Sequence, residues 1–270
     1  MPSNSSHEFS KDLKRLALEM VHRAGSSHIG GNLSMADIVA VLYNDILSID
    51  PLEPNSPNRD RLIVSKGHAA AILYAALAKR GFFDASELET FCCDGARLGG
   101  HVTKSSLSGV EFSAGALGHG LPVGIGMAMA ARKLNRSFRT FVIMSDGECD
   151  EGSVWEGALF AGHHRLSSLT AIVDYNKIQS FGTVANVLDL EPLNEKWAAF
   201  GWDVHEIDGH DHHALKTAFR PTKDNASKPR VVIAHTTKGK GVDFMEDRLE
   251  WHYKSPDKKQ LEAAIRQIES

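Results

Sequence analysis

Two residues stand where their chemistry could be shared. Asp146 follows the apolar run TFVIMS, and Asn176 follows the apolar run LTAIVDY. A carboxylate oxygen, an amide oxygen and a backbone carbonyl shortly after Asn176 would form a set of hard ligands suited to magnesium or calcium. Gly147 removes a side chain where a phosphate would have to approach the backbone, and a helix beginning near Gly152 would add N–H groups and a favourable dipole. The chemistry is then a metal-anchored diphosphate. The same Asp-Gly and Asn-Lys pairs also form ordinary turns, and their spacing does not by itself name a ligand.

Histidine is the second signal. Of the 14 histidines, His28 lies in GSSHIGG, His68 in SKGHAAA, His101 in LGGHVTK and His252 in EWHYKS. Imidazoles in glycine-flanked or polar loops can donate to phosphate and to sugar hydroxyls while moving protons near neutral pH. Other segments read two ways. Glu151 and Glu156 taken alone are solvated surface acids. The loop SAGALGHGLPVG is either a helix-opening turn on a sheet or a ligand loop, and TTKGKGVDF, with Lys238 and Lys240, is either a solvated turn or a cover for phosphate.

Positioning these groups requires strands that end together. Short apolar runs predict strands at 61–65, 140–144, 169–175, 202–207 and 231–234. Helical spacing predicts helices at 9–23, 69–79 and 121–134, the last with the small residues GIGMAMAA for close packing on a sheet. Ser34 with Asp37 resembles a capping box opening a helix through about residue 47, and Ser255-Pro256 supplies an N-cap and first position for a final helix. Strands alternating with helices imply an α/β fold: a doubly wound, mainly parallel sheet with helices on both faces. Such sheets bind ligands beyond the carboxyl ends of their strands, where Asp146 and Asn176 lie. No repeat or linker divides residues 1–270, which are expected to form one domain.

Composition narrows the function. A chain of 270 residues, 42% hydrophobic, can bury a substantial core. Its net charge of -4 and its lack of a basic block with aromatics argue against nucleic acid. Cys92, Cys93 and Cys149 suit neither a disulfide framework nor paired zinc spacing. No signal-like or membrane-length apolar run is present, so a cytoplasmic protein is expected.

Taken together, the blocks DRLIVSKGHAAAILYAAL, SDGECDEGSVWEG and the later Asn176 resemble transketolases over nearly the whole chain. The resemblance implies a thiamine diphosphate-binding fold, and within it the diphosphate-binding module. It implies that Asp146, Asn176 and the carbonyl of Ile178 hold magnesium, with calcium and manganese as alternatives, and that Gly147 contacts the diphosphate. His68 and His252 would contact the diphosphate, and His28 and His101 would line the substrate channel, all four serving catalysis. Gly115 and Leu117 would lie near the thiazolium and diphosphate, and Glu151, with Glu156, would link paired sites at a subunit interface. Three residues depart from the commonest pattern: Ser145 for a glycine, costing about 1 kcal/mol or more if that position needs a positive φ, Ile29 for a proline and Tyr253 for a glycine.

The activity implied is transfer of a two-carbon ketol unit from a ketose to an aldose. In transketolases the glutamate that activates the cofactor belongs to a pyrimidine-binding domain, here expected from a separate C-terminal subunit, with two copies of each chain. Sugars or sugar phosphates would be the substrates. The alternatives are another thiamine-dependent subunit, for 2-oxo acid decarboxylation or deoxyxylulose phosphate synthesis, and a non-catalytic regulatory paralogue.

Overall fold

A computed structural model describes residues 5–104, 107–220 and 227–270. Its centre is a five-stranded parallel sheet of β1 (Arg61–Val64), β2 (Thr140–Ser145), β3 (Leu169–Tyr175), β4 (Asp203–Asp208) and β5 (Arg230–His235), in the order β1-β2-β3-β5-β4. The helices are α1 (Ser6–Ala24), α2 (Ile29–Ser34), α3 (Ala36–Val41), α4 (Ala70–Lys79), α5 (Gly120–Lys133), α6 (Gly152–His163), α7 (Val184–Val187), α8 (Leu193–Ala199), α9 (His212–Phe219) and α10 (Lys258–Glu269).

Both faces of the sheet are covered, and strand alternation divides the core. Phe141 and Ile143 of β2 join Leu215 and Phe219 of α9 and the residues of α1, α3 and α4 in one layer. Val142 and Met144 join Leu121 and Ile125 of α5, Val154 and Ala158 of α6 and Trp197 of α8 in the other. The sheet and its two helical layers are therefore the doubly wound arrangement expected from the alternation of elements. Of the glycines in α5, Gly124 makes the close approach: a Cβ there would lie 2.5 Å from Val142 Cγ2.

Two predicted boundaries move. Ser34 does not cap a helix, because it is buried and its hydroxyl donates to the Gly31 carbonyl and to Asp174 Oδ2, 2.6 Å away. Asp37 likewise turns to distant partners, so the segment is built as α2, α3 and a π-turn at Leu42–Ile46 rather than one continuous helix. At the other end, α10 is capped by Asp257, whose carboxylate accepts from Gln260 N while Gln260 Oε1 accepts from Asp257 N. Ser255, the expected cap, instead donates its hydroxyl to the Val21 carbonyl of α1.

Register aligns the strand ends that matter. Ser145 pairs with Asp174 across β2 and β3, and Tyr175 pairs with His235 across β3 and β5. Asp146, Asn176 and residues 236–238 consequently leave the sheet on the same edge.

Candidate functional site

A cavity of about 390 Å³ opens at this carboxyl edge. Its lining includes His28, His68, His101, His252, Gly115, Leu117, Asp146, Gly147, Glu151, Asn176 and Ile178, each of them expected there from the sequence. Residues separated widely in the chain thus converge on one space, as expected where a parallel sheet binds its ligand.

Asp146 is 2% exposed and begins a short 3₁₀ turn, Gly147–Asp150. Its carboxylate accepts from Gly147 N at 2.7 Å and from Lys177 N at 2.6 Å. The second contact depends on Lys177 taking a left-handed conformation, φ 67°, which folds the chain after Asn176 back towards β2. Burial, reinforced by the negative charge of Asp174, pushes the Asp146 carboxyl up to about 6 despite these N–H donors. Asn176 Oδ1 accepts from Ile178 N at 3.1 Å. Each of these oxygens retains acceptor capacity.

The donor set fits a hard cation. Among the described residues, no group of three or more His, Cys, Asp and Glu could hold a metal ion. The cavity offers instead one carboxylate, one amide oxygen and the Ile178 carbonyl, all oxygen ligands of the type magnesium and calcium take. A cation beside Asp146 would also relieve the carboxylate of the burial that now raises its pKa. The Ile178 carbonyl already accepts a positive group, the Lys238 ammonium at 2.9 Å.

Around this centre the histidines cluster. The His28 ring centroid lies 5.0 Å from that of His252, 5.2 Å from His68 and 5.8 Å from His101. His28 has φ 75°, a left-handed conformation costing a non-glycine residue about 1–2 kcal/mol. It is held there because its N–H donates to the His252 carbonyl and its own carbonyl accepts from Asn32 Nδ2. His101 is fixed through its carbonyl, which accepts from Tyr74 Oη at 3.1 Å. Gly67 lets the two loops meet, since a Cβ there would lie 2.0 Å from the Ala114 carbonyl oxygen.

Burial keeps these imidazoles neutral. It lowers His28 to about 4, aided by His101, Lys238 and Lys66, and His252 to about 3, aided by Lys238, His28 and Lys66. His68 is also held well below the ordinary range, by burial first and Lys66 second. A neutral imidazole can donate one N–H to a phosphate or hydroxyl oxygen and accept through the other nitrogen.

Three residues of the site carry little signal in the sequence. Lys66 and Asp174 form a buried ion pair beneath the cavity. The solvated turn weighed for TTKGKGVDF does not hold at Lys238, which is 2% exposed and whose Nζ lies 3.1 Å from His252 Nδ1. Its signal is the glycine on its C-terminal side: a Cβ on Gly239, φ 82°, would lie 2.4 Å from the Met245 carbonyl. Lys240, by contrast, is half-exposed and pairs with Glu246 at 3.5 Å.

Glu151 is the exposed N-cap residue of α6 at the cavity edge. Glu156 lies apart from it, in a shallow depression between α5 and α6 with Pro122, Met129 and Phe160. Ser145 is not among the residues with positive φ, and its Oγ accepts from Glu148 N at 3.2 Å. The strain anticipated for a serine in this turn is absent. Among the described residues, no helix is long and apolar enough to cross a membrane.

Comparison with known proteins agrees with this geometry. The family described as "Transketolase, thiamine diphosphate binding domain" matches residues 5–267. One of the two subunits of the apulose-4-phosphate transketolase of Phocaeicola vulgatus is 42% identical over 258 residues, covering 96% of this chain and 91% of that protein. A 6-deoxy-6-sulfo-D-fructose transketolase subunit of a Clostridium species is 39% identical over 257 residues, covering 95% and 94%. The crystal structure of transketolase from Campylobacter jejuni superimposes with a TM-score of 0.91 at 32% identity, over 98% of this chain and 42% of that one.

Proposed function

This chain belongs to the transketolase family, as a thiamine diphosphate binding domain, and we propose that it is the diphosphate-binding subunit of a split transketolase. In this reading residues 1–270 are one domain of a cytoplasmic enzyme, and a C-terminal subunit supplies the pyrimidine-binding domain, two copies of each chain assembling together. The observation that carries the proposal is the convergence of Asp146, Asn176 and the Ile178 carbonyl with neutral His28, His68 and His252 in one cavity. Matches along nearly the full length of proteins named as transketolase subunits support the split arrangement.

Bound thiamine diphosphate would supply a nucleophilic carbon that carries a two-carbon ketol unit between a ketose and an aldose. Asp146, Asn176 and Ile178 would hold magnesium at the diphosphate, with Gly147 leaving the backbone open beside it. His68, His252 and Lys238 would donate to phosphate oxygens. His28 and His101 would orient sugar hydroxyls and hand protons across the cavity mouth, and Gly115 and Leu117 would bound the thiazolium side. Glu151 and Glu156 would face the partner, where Leu159 and Phe160 of α6 and Phe181 of the cavity rim are exposed.

The substrates are sugars or sugar phosphates, and the named relatives justify including branched and sulfonated ones in the test. Purified with its partner, thiamine diphosphate and magnesium, the chain should transfer ketol units on a broad sugar panel. No transfer on any member would defeat the assignment. Pyruvate as donor separates this reading from other thiamine-dependent reactions through its products.

A further inference from the structure

Lys238 owes its place to a hydrogen-bond chain that begins outside the cavity. Asp37 of α3, 6% exposed, accepts from Ser10 Oγ at 2.5 Å, from Lys14 Nζ at 3.2 Å and from two imidazoles. His210 Nδ1 lies 2.8 Å from Asp37 Oδ2, and His212 Nε2 lies 3.3 Å from Asp37 Oδ1. The other nitrogen of each ring separates their roles. His212 Nδ1 meets Ser6 Oγ at 2.9 Å, back on α1. His210 Nε2 meets the backbone N–H of Thr237 at 2.9 Å, one residue before Lys238.

That last contact fixes the tautomer. Thr237 N–H can only donate, so His210 Nε2 must accept, and Nδ1 carries the proton it gives to Asp37. The segment beyond is pinned at other points, by Thr236 N–H on the Tyr175 carbonyl and by Gly239 N–H on the Gly30 carbonyl. Between these pins the Lys238 side chain passes Gly30, where a Cβ would lie 3.1 Å from Lys238 Cγ, and its ammonium reaches the Ile178 carbonyl and His252.

We propose that His210, oriented by Asp37, is a positioning residue that sets Lys238 in the cofactor cavity, so that affinity for the diphosphate depends on a ring that never enters the cavity. The inference rests on the thiamine diphosphate reading of the cavity. His212 is the internal control, because it shares the Asp37 carboxylate but touches nothing in residues 236–239.

The test uses the reconstituted subunit pair, titrated calorimetrically with thiamine diphosphate at fixed magnesium. His210→Phe should weaken cofactor affinity by about 10- to 100-fold, the loss seen when an outer-shell partner of a bound group is removed. Turnover at saturating cofactor should persist. His210→Gln, which can accept from Thr237 while donating towards Asp37, should recover most of the affinity, and His212→Phe should lower thermal stability without moving it. Amide hydrogen exchange at Thr237 and Lys238 should accelerate in His210→Phe and not in His212→Phe. Wild-type affinity in His210→Phe, or equal losses in the two histidine variants, would overturn the proposal. If the wild-type pair took up no cofactor at all, the cavity assignment would fail, and equal exchange at Thr237 in the two variants would then independently sink the role of His210.

Discussion

The ammonium of Lys66 and the carboxylate of Asp174 form an ion pair at 1% and 0% side-chain exposure, joining the end of β1 to β3 across the intervening β2. Burial opposes the charge on Asp174, but Lys66, Ser34 and Thr236 overcome it and hold the carboxyl below its ordinary range. The pair therefore ties together the strand ends that carry the cavity. Removing one partner leaves a buried charge uncompensated, at a cost of about 3–5 kcal/mol. Lys66→Met should lose stability of that order in urea unfolding, and Lys66→Met with Asp174→Leu should recover much of it. A single variant as stable as wild type would show that the pair contributes nothing.

Acid should destabilise the fold in two stages. His28 at about 4 and His252 at about 3 lie below the ordinary 6.5 because burial and neighbouring cations disfavour their charged forms. The unfolded chain thus binds protons that the folded chain refuses, and stability falls as pH drops from about 6.5 towards those values. Asp37 adds a lower stage. Burial raises its carboxyl, but His210, His212, Lys14 and Ser10 reverse this and hold it well below the usual value. Its contribution is present above about pH 4 and is lost as pH falls through the folded value. Urea midpoints measured from pH 7 to 3 should flatten in the upper stage for His28→Asn with His252→Asn, and in the lower stage for Asp37→Asn.

Local pattern made the strand ends legible, and with them Asp146 and Asn176, because an apolar run followed by a turn marks a carboxyl edge. Helices on both faces followed from the alternation of elements. Lys66, Asp174 and Lys238 were harder to see, since a lysine after a strand and an aspartate inside one acquire meaning only from partners far along the chain. Ser34 and Asp37 misled for the same reason: the spacing of a capping box cannot distinguish a local cap from side chains that bond to Asp174, Ser10 and His210. At α10 the true box was present two residues on, in Asp257 and Gln260.

Asp146 is the one carboxylate in the proposed cation set, so Asp146→Ala should remove metal-linked uptake of thiamine diphosphate. The loss should exceed the about 10- to 100-fold that removal of an outer-shell partner costs. Folding should survive, because Gly147 N–H and Lys177 N–H lose an acceptor only at the cavity wall. Asp146→Asn keeps an acceptor for one of them and should be the more stable of the two variants. Calorimetry with and without magnesium, alongside far-ultraviolet circular dichroism, reads both effects. Normal uptake in either variant would place the cation elsewhere.

Ser145 invites the opposite experiment, a return to the glycine common at this position in transketolases. Because its φ is not positive, glycine has no strain to relieve there. The serine hydroxyl also accepts from Glu148 N–H and so holds the start of the 3₁₀ turn. Glu148 in turn accepts from Gly118 N–H at 2.9 Å and from Ser65 Oγ, coupling that turn to the loop ahead of α5. Ser145→Gly should therefore destabilise the chain by about 1 kcal/mol, from a lost hydrogen bond and added backbone freedom in the unfolded state. Cofactor affinity should change little, since Asp146 and Asn176 keep their own contacts. A gain in thermal stability would mean that the serine strains the turn after all.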